Sequence, residues 1–419
     1  MDNSVKKFTF KEFYLKNRLY FHCFIFFCLL IINCFYSQVA YISLSLLMIL
    51  ILIDSLKCGF SYIICYIPFC LLGGDIGIIL YFCCILVYII KAYAVIIFKD
   101  KTKPNFVLLI LSIILILYSL IHFQNVNITT FLNIAIFIFI ILGLNLYVRK
   151  KEIFNFHYNI KLLCVSIIIA SILSCLYFVS PYLQSFITPF YLTTNLVRFS
   201  ALFTHPNTLA ILCEIALSIL TFFLITEKKS IFNIVLFCLI TLIGLLTFSK
   251  TFILLLLVIL IAIFIKGLKI NKKITLITTG IILLCTIIFC IVANDVVNVI
   301  IERFFGRIAE CSSFRDFMNM LTTDRFDLWV EYLKEIFYHP TIFFFGKGLG
   351  CSPIQILGAH NTFISLFYQL GLVGLVLLGF TMGYLIKQIL KIEKFNNAML
   401  VPIIVILLLL MGEDMILFS

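Results

Sequence analysis

Runs of roughly 17–25 apolar residues, separated by short charged clusters, recur along nearly the whole chain and predict membrane-spanning helices. They fall near 19–36, 40–54, 58–72, 76–97, 105–121, 128–147, 160–179, 207–226, 231–248, 251–268, 274–294, 359–386 and 398–413, about 13 spans within a range of 12–14. The period-two alternation of an outer-membrane barrel is absent. The expected class is therefore all-α, a polytopic transmembrane helical bundle. The weakest span is 58–72, which contains Pro68 and ends at Gly73-Gly74-Asp75, and which also fits a re-entrant or strongly tilted segment.

Two stretches are too long to be turns between spans. One covers 180–206 and the other 295–358. The second has soluble-like composition, and within it Asp324–Phe337 reads as an amphipathic helix. Phe326, Trp329, Val330, Leu333, Ile336 and Phe337 recur at helical spacing opposite Asp327, Glu331, Lys334 and Glu335. Thr323 or Asp324 caps its start and Pro340 stops it. This helix is expected to lie on the outer membrane surface or fold back over the bundle.

Composition strengthens the membrane assignment. Of 419 residues, 63% are hydrophobic and 12% charged, where soluble domains carry about twice that share of charge. The formal charge of +12 would suit a nucleic-acid partner, but its distribution excludes one. Lys6, Lys7, Lys11, Lys16 and Arg18 precede the first span, and the clusters 99–103, 149–151, 228–229, 266–273 and 387–394 then fall on that same side. About eight of the 31 basic residues fall on the other (Arg198, Lys250, Arg303, Arg307, Arg315, Arg325, Lys334 and Lys347). By the positive-inside rule the N-terminus is cytoplasmic and both long segments are extracytoplasmic, in a multi-pass protein of the cytoplasmic (inner) membrane. The expected organisation is a basic N-terminus over 1–18, a bundle over 19–294 interrupted by the outer segment 180–206, an outer loop over 295–358, and C-terminal spans over 359–419.

Most of the 16 cysteines lie inside apolar runs and act as small hydrophobes. Cys311 and Cys351 share the second outer loop, which leaves a disulfide between them open. No Cys/His spacing resembles a metal site.

Candidate chemistry gathers on the outer side. Arg198 opens the segment that ends His205-Pro206-Asn207, where Pro206 suits the first turn of the following helix. Glu214 lies seven residues past Asn207, on the same helix face and about 10 Å deeper. Arg198 reads either as a phosphate ligand or as an interfacial anchor, and Glu214 as a functional or a structural carboxylate. Arg325, in the first turn of the amphipathic helix, is placed to meet a phosphate or diphosphate at free helix N–H groups, or to pair with Asp324 or Asp327. His360-Asn361 follows the turn Gly346-Lys347-Gly348-Leu349-Gly350, which lacks P-loop spacing. His360 reads as a general base or as a hydrogen-bonded interface residue.

These residues resemble the O-antigen polymerase and O-antigen ligase superfamily of bacterial membrane glycosyltransferases. The resemblance runs from Asn195 to Phe380. It rests on Arg198…Pro206-Asn207, Leu246-Thr-Phe-Ser249-Lys250, Arg325 in a long outer loop, Gly346-x-Gly348, and His360-Asn361 followed by Gly371-Leu-Val-Gly374. The chain departs from the family's pattern at Ala201, at His205, at Lys250 and at Gln369, where glycine, asparagine, arginine and glutamate are common.

The resemblance implies a donor glycan on undecaprenyl diphosphate, bound from the outer side. Arg198 and Arg325 would hold the diphosphate and His360 would activate the acceptor hydroxyl, with Asn207, Asn361, Lys250 and Glu214 as substrate-binding candidates. The chain contains no Asp-x-Asp pair, so a metal-independent reaction without cofactor is expected. Polymerisation of lipid-linked repeat units for a capsule, exopolysaccharide or O-antigen is the first expectation, and transfer of a finished glycan to a lipid or protein by a ligase is the second. A lipid-linked oligosaccharide flippase is a third reading. Expected partners are the lipid-linked donor and acceptor, membrane lipids and a chain-length regulator, with no nucleic acid.

Overall fold

The computed structural model describes residues 10–412 except 37, 100–105, 122–141, 144, 194–195, 227–229, most of 271–310, 323–324, 349–350, 352–358 and 393–398. The expected spans at 128–147 and 274–294 fall largely outside the described residues. Five described helices are long and apolar enough to cross a membrane: Leu56–Gly73, Ile76–Phe98, Lys151–Phe178, Pro206–Thr226 and Thr362–Lys391. Shorter apolar helices cover Tyr20–Asn33, Gln38–Ile53, Ile231–Leu246, Lys250–Ile265 and Leu400–Leu410. Large apolar side chains such as Ile53, Phe98 and Ile231 are three-quarters or more exposed on them. Water would oppose that surface and lipid suits it. The chain is a multi-pass helical membrane protein.

The described residues form two units. In the first, α1 (Phe10–Asn33), α2 (Gln38–Ile53), α3 (Leu56–Tyr66) and α4 (Gly74–Ala94) pack with α6 (Phe156–Leu173) and the short α7 (Pro181–Phe186). The doubtful segment at 58–72 forms a continuous helical stretch in which α3 tightens into a 3₁₀ helix over Ile67–Gly73, with Pro68 in its first turn. The change from α to 3₁₀ falls at Pro68, whose missing N–H and ring interrupt the α-helical ladder. Polar contacts between helices are few and buried, among them Ser61 Oγ donating to Asn159 Oδ1 at 2.6 Å between α3 and α6.

The second unit contains α5 (Phe106–Ile121), a hairpin of β1 (Phe190–Thr193) and β2 (Leu196–Phe199), α8 (Pro206–Thr226), α9 (Ile231–Leu246) and α10 (Lys250–Ile270). It continues through α11 (Phe314–Thr322), α12 (Arg325–Tyr338), α13 (Pro340–Phe345), α14 (Thr362–Ile392) and α15 (Leu400–Gly412). Helix α8 begins at Pro206, as the sequence implied, and packs against α9, α10 and α15. The hairpin is an addition to the expected all-helical plan. Phe190 pairs with Phe199 and Tyr191 with Arg198, and the two phenylalanine rings meet at 5.7 Å.

Helix α12 forms where its amphipathic pattern placed it and folds back onto α14. The buried stripe is rotated from the expected one. Tyr332 and Ile336 are buried in a cluster with Ile342, Ala359 and Tyr368, flanked by Leu328 and Leu333, whereas Phe337 is 65% exposed. The half-polar Tyr332 reaches the cluster because its ring packs edge-on to Tyr368 at 5.1 Å.

Helix α14 differs most from its expectation as one uninterrupted span. It breaks at Gly371 (φ 62°, ψ −175°), leaving Thr362–Leu370 above a longer apolar segment. The carbonyls freed at the break are taken up by neighbours. Lys347 N–H donates to Tyr368 O at 2.8 Å and Gly348 N–H to Gln369 O at 3.0 Å. The Tyr118 hydroxyl lies 2.9 Å from both Leu370 O and Phe345 O. In lipid an unsatisfied backbone group costs several kcal/mol, so a break of this kind needs such replacements. Gly346 and Gly371 cross so closely that a Cβ on Gly371 would sit 2.4 Å from Gly346 N, and one on Gly346 would sit 2.3 Å from Gln369 O.

Gly371→Ala and Gly346→Ala therefore meet both a positive φ and a backbone clash. Each is expected to destabilise the protein by at least about 2 kcal/mol. Gly379→Ala, with nothing within 4 Å of the added carbon, is expected to be neutral or slightly stabilising. Thermal unfolding in detergent compares the three.

Candidate functional site

Arg198 lies on β2 and is 5% exposed. Its Nε donates to Thr247 O at 2.9 Å and its Nη2 to Asn207 Oδ1 at 2.7 Å. One guanidinium thus ties the hairpin to the end of α9 and the start of α8. Asn207 N–H donates to His205 Nδ1 at 3.2 Å, and the exposed His205 ring lies 5.6 Å from Tyr191, the strand partner of Arg198. The structure thus brings Arg198 and Asn207 into direct contact.

The motif 246–250 is the corner between α9 and α10. Thr247 Oγ1 donates to Gly244 O at 2.6 Å, and Ser249 Oγ accepts from Phe252 N–H at 3.5 Å, in the position of an N-cap. Lys250 Nζ then reaches Met320 O at 3.3 Å, linking the corner to α11. Helix α11 is bonded to α12: Asn319 Oδ1 accepts from Asp327 N–H at 3.0 Å, and Thr322 Oγ1 accepts from Phe326 N–H at 3.0 Å. Arg325 is the first residue of α12 and half-buried. Asp327, one of its two expected carboxylate partners, pairs with Arg315 at 2.6 Å.

From α12 the series reaches His360. Trp329 Nε1 donates to Ala359 O at 2.8 Å, just before His360. Just after it, Asn361 Oδ1 accepts from Phe363 N–H at 3.1 Å and Ile364 N–H at 3.2 Å, so Asn361 is the N-cap of α14. His360 sits between these two pinned neighbours in a left-handed conformation (φ 48°). Arg198, Lys250, the helix that starts at Arg325 and the turn that carries His360 thus belong to one hydrogen-bonded series. Glu214 is 1% exposed inside α8, deeper than Asn207.

No known protein family, curated protein or solved structure matches this chain.

Among the described residues, the non-glycine positions with positive φ are Ala201 (51°), Phe248 (47°) and His360 (48°). They fall in three of the five elements read from the sequence: Arg198 to Asn207, Leu246 to Lys250, and His360-Asn361. A left-handed non-glycine residue costs about 1–3 kcal/mol and persists only where its surroundings impose it, and such residues cluster at functional sites. The φ of Ala201 is one that glycine adopts without cost.

The sequence reading missed a second polar group, in the first unit. Asp54 is 6% exposed. It receives Arg18 Nη1 at 3.1 Å and the Tyr62 hydroxyl at 2.5 Å, while His22 Nδ1 lies 2.7 Å from that hydroxyl. Lys91 Nζ caps the end of α2 by donating to Ile51 O at 2.7 Å, to Leu52 O at 2.8 Å and to Asp54 O. These residues come from α1, α3, α4 and the turn between α2 and α3, and no local motif marks them. Among the described residues, no group of three or more His, Cys, Asp and Glu side chains is arranged to hold a metal ion. Cys311 and Cys351 remain thiols, and burial pushes the Cys351 pKa up.

The start of α11 rests on exposed carboxylates. The bond from Arg315 holds the Asp327 carboxyl below its ordinary range, and bonds from Ser312 and Ser313 do the same for Asp316. Carboxyls lowered by folding contribute stability above their unfolded pKa of about 4, and lose it as pH falls through the lower folded value. Amide exchange over 312–327, corrected for intrinsic rates, is expected to stay slow at neutral pH and to quicken below about pH 4. Arg198→Ala leaves the buried Thr247 carbonyl without this donor and is expected to cost about 3 kcal/mol in thermal unfolding. Arg198→Lys is expected to recover only part of this, since its compact ammonium lacks the planar fork that reaches both acceptors.

Proposed function

We propose that this protein is a polysaccharide polymerase that joins undecaprenyl-diphosphate-linked oligosaccharide repeat units at the outer face of the cytoplasmic membrane. The observation that carries this reading is the hydrogen-bonded series just described, which links the separate motifs of the family resemblance through Thr247, Lys250, α11, α12 and Ala359. The reading takes the bundle as about 13 spans, with a cytoplasmic N-terminus and an extracytoplasmic site. In it, an acceptor hydroxyl attacks the anomeric carbon of the donor glycan and the bond from that carbon to the diphosphate breaks. The hydroxyl proton passes to His360. Arg198 and Arg325 stabilise charge on the leaving undecaprenyl diphosphate, a task that elsewhere falls to a metal ion. Arg198 is well suited because two of its N–H groups are already committed to protein oxygens, which fixes where the others point. Asn207 and Asn361 act by positioning Arg198 and His360. Inversion at the anomeric carbon follows from a single displacement.

A ligase would use the same donor and the same groups, differing in its acceptor. A flippase is the reading favoured by Glu214, an ionisable residue buried within α8, since such residues mark transport pathways in membrane proteins. Glycan size separates the three. Cells lacking the protein are expected to hold single repeat units on the carrier at the outer face. Wild type is expected to restore a ladder, and His360→Ala at equal membrane level to lower polymerisation about 10²–10⁴-fold. Long chains accumulating on the carrier would instead mean a ligase, and repeat units trapped at the inner face would mean a flippase. A normal ladder from His360→Ala would remove the histidine from the mechanism.

A further inference from the structure

The elbow between α12 and α13 carries a set of aromatic rings whose level relative to the membrane can be worked out from α14. The lower part of α14 is apolar down to Lys387. Crossing about 30 Å of hydrocarbon takes about 20 residues at 1.5 Å each, which puts the far boundary near Phe367. The Gly371 break lies just inside that boundary. Residues 345–348, bonded to the carbonyls of Tyr368, Gln369 and Leu370 directly or through Tyr118, are held at the same level. The rings follow: Phe343 lies 5.5 Å and Phe337 6.4 Å from Phe367, and Phe344 lies 5.0 Å from Phe343.

Several of these rings turn away from the protein. Phe337 is 65% and Tyr338 78% exposed, and Phe344 and Phe345 are about half exposed. Polar residues adjoin them, with Glu335 and His339 pairing at 3.6 Å. We propose that the α12–α13 elbow is an interfacial anchor whose lip of Phe337, Tyr338, Phe344 and Phe345 inserts into the boundary between lipid headgroups and acyl chains. The occupant is lipid because the lip is continuous with the apolar face of α14 at the depth where the hydrocarbon begins. Aromatic rings with polar neighbours are the side chains that settle at that depth. Arg325 lies at the other end of α12, about 20 Å along its axis from Tyr338. This inference stands whether or not the protein is a polymerase.

Trp329 is the single tryptophan of the chain, so a probe at the lip needs only its replacement. Trp329→Phe is combined with Phe344→Trp or Tyr338→Trp in the full-length protein, in nanodiscs of phosphatidylcholine brominated either near the headgroup end or near the end of the acyl chain. Both probes are expected to lose at least half their fluorescence to the shallow bromines and clearly less to the deep ones. Iodide in the water phase is expected to quench them weakly. Strong iodide quenching without bromine quenching would place the lip in water. Protection from both quenchers would mean that protein covers it, and stronger quenching by the deep bromines would mean it lies in the bilayer interior. Each of those three results overturns the proposal. Should Trp329→Phe fold poorly, the added tryptophans are read as differences from the native protein in the same lipids.

Discussion

A helix that breaks inside an apolar layer keeps its place only if other groups bind the backbone atoms that the break frees. At Gly371 these groups come from Lys347, Gly348 and Tyr118. This one arrangement joins three distant stretches of chain: the end of α5, the turn after α13, and α14 itself. It also explains why two glycines face each other there, since either Cβ would occupy the space of the opposing backbone. The tight crossing holds α13 beside α14, and the cluster of Tyr332, Ile336, Ile342 and Tyr368 can then close around it. The positions of α12, of Ala359 and of His360 all descend from that packing.

The two units solve the problem of polar groups in lipid in different ways. In the first, Arg18 and the Tyr62 hydroxyl meet the Asp54 carboxylate, and Lys91 satisfies the carbonyls at the end of α2. Burying charge is costly unless it is paired and hydrogen-bonded, and here it is both. In the second unit the linking bonds run mostly from side chain to backbone, through Arg198, Lys250 and Trp329. Such bonds fix where a loop sits without demanding a partner charge. They suit an array of loops that must hold its shape at the edge of a bilayer.

The strained positions carry the same logic. Ala201, Phe248 and His360 hold left-handed conformations beside residues that are themselves bonded: Ser200 N–H to Pro189 O at 2.8 Å, Thr247 to Gly244 at 2.6 Å, and Asn361 to the first turn of α14. The neighbours supply the constraint that keeps the strain in place. The backbone of His360 is therefore held on both sides, by the bonds to Ala359 and from Asn361.

Much of this was legible from the sequence, because lipid imposes length and hydropathy on each span independently of the others. The helices at Pro206–Thr226 and Ile231–Leu246 and the amphipathic helix from Arg325 were readable from local pattern. Other features depend on residues far apart in the chain, and no window along it contains them. Asp54 meets Arg18, His22 and Tyr62 only once α1, α2 and α3 have packed. The break at Gly371 has no local signal beyond one glycine in an apolar run, because its cause is Gly346 twenty-five residues earlier. The rotation of α12 follows from which ring fits beside Tyr368, a matter of shape that hydrophobic periodicity does not record. Sequence alone determined that apolar helices of membrane-crossing length recur along the chain, since each must satisfy the solvent by itself. Tertiary structure alone decided which polar groups meet, since that requires two segments at once.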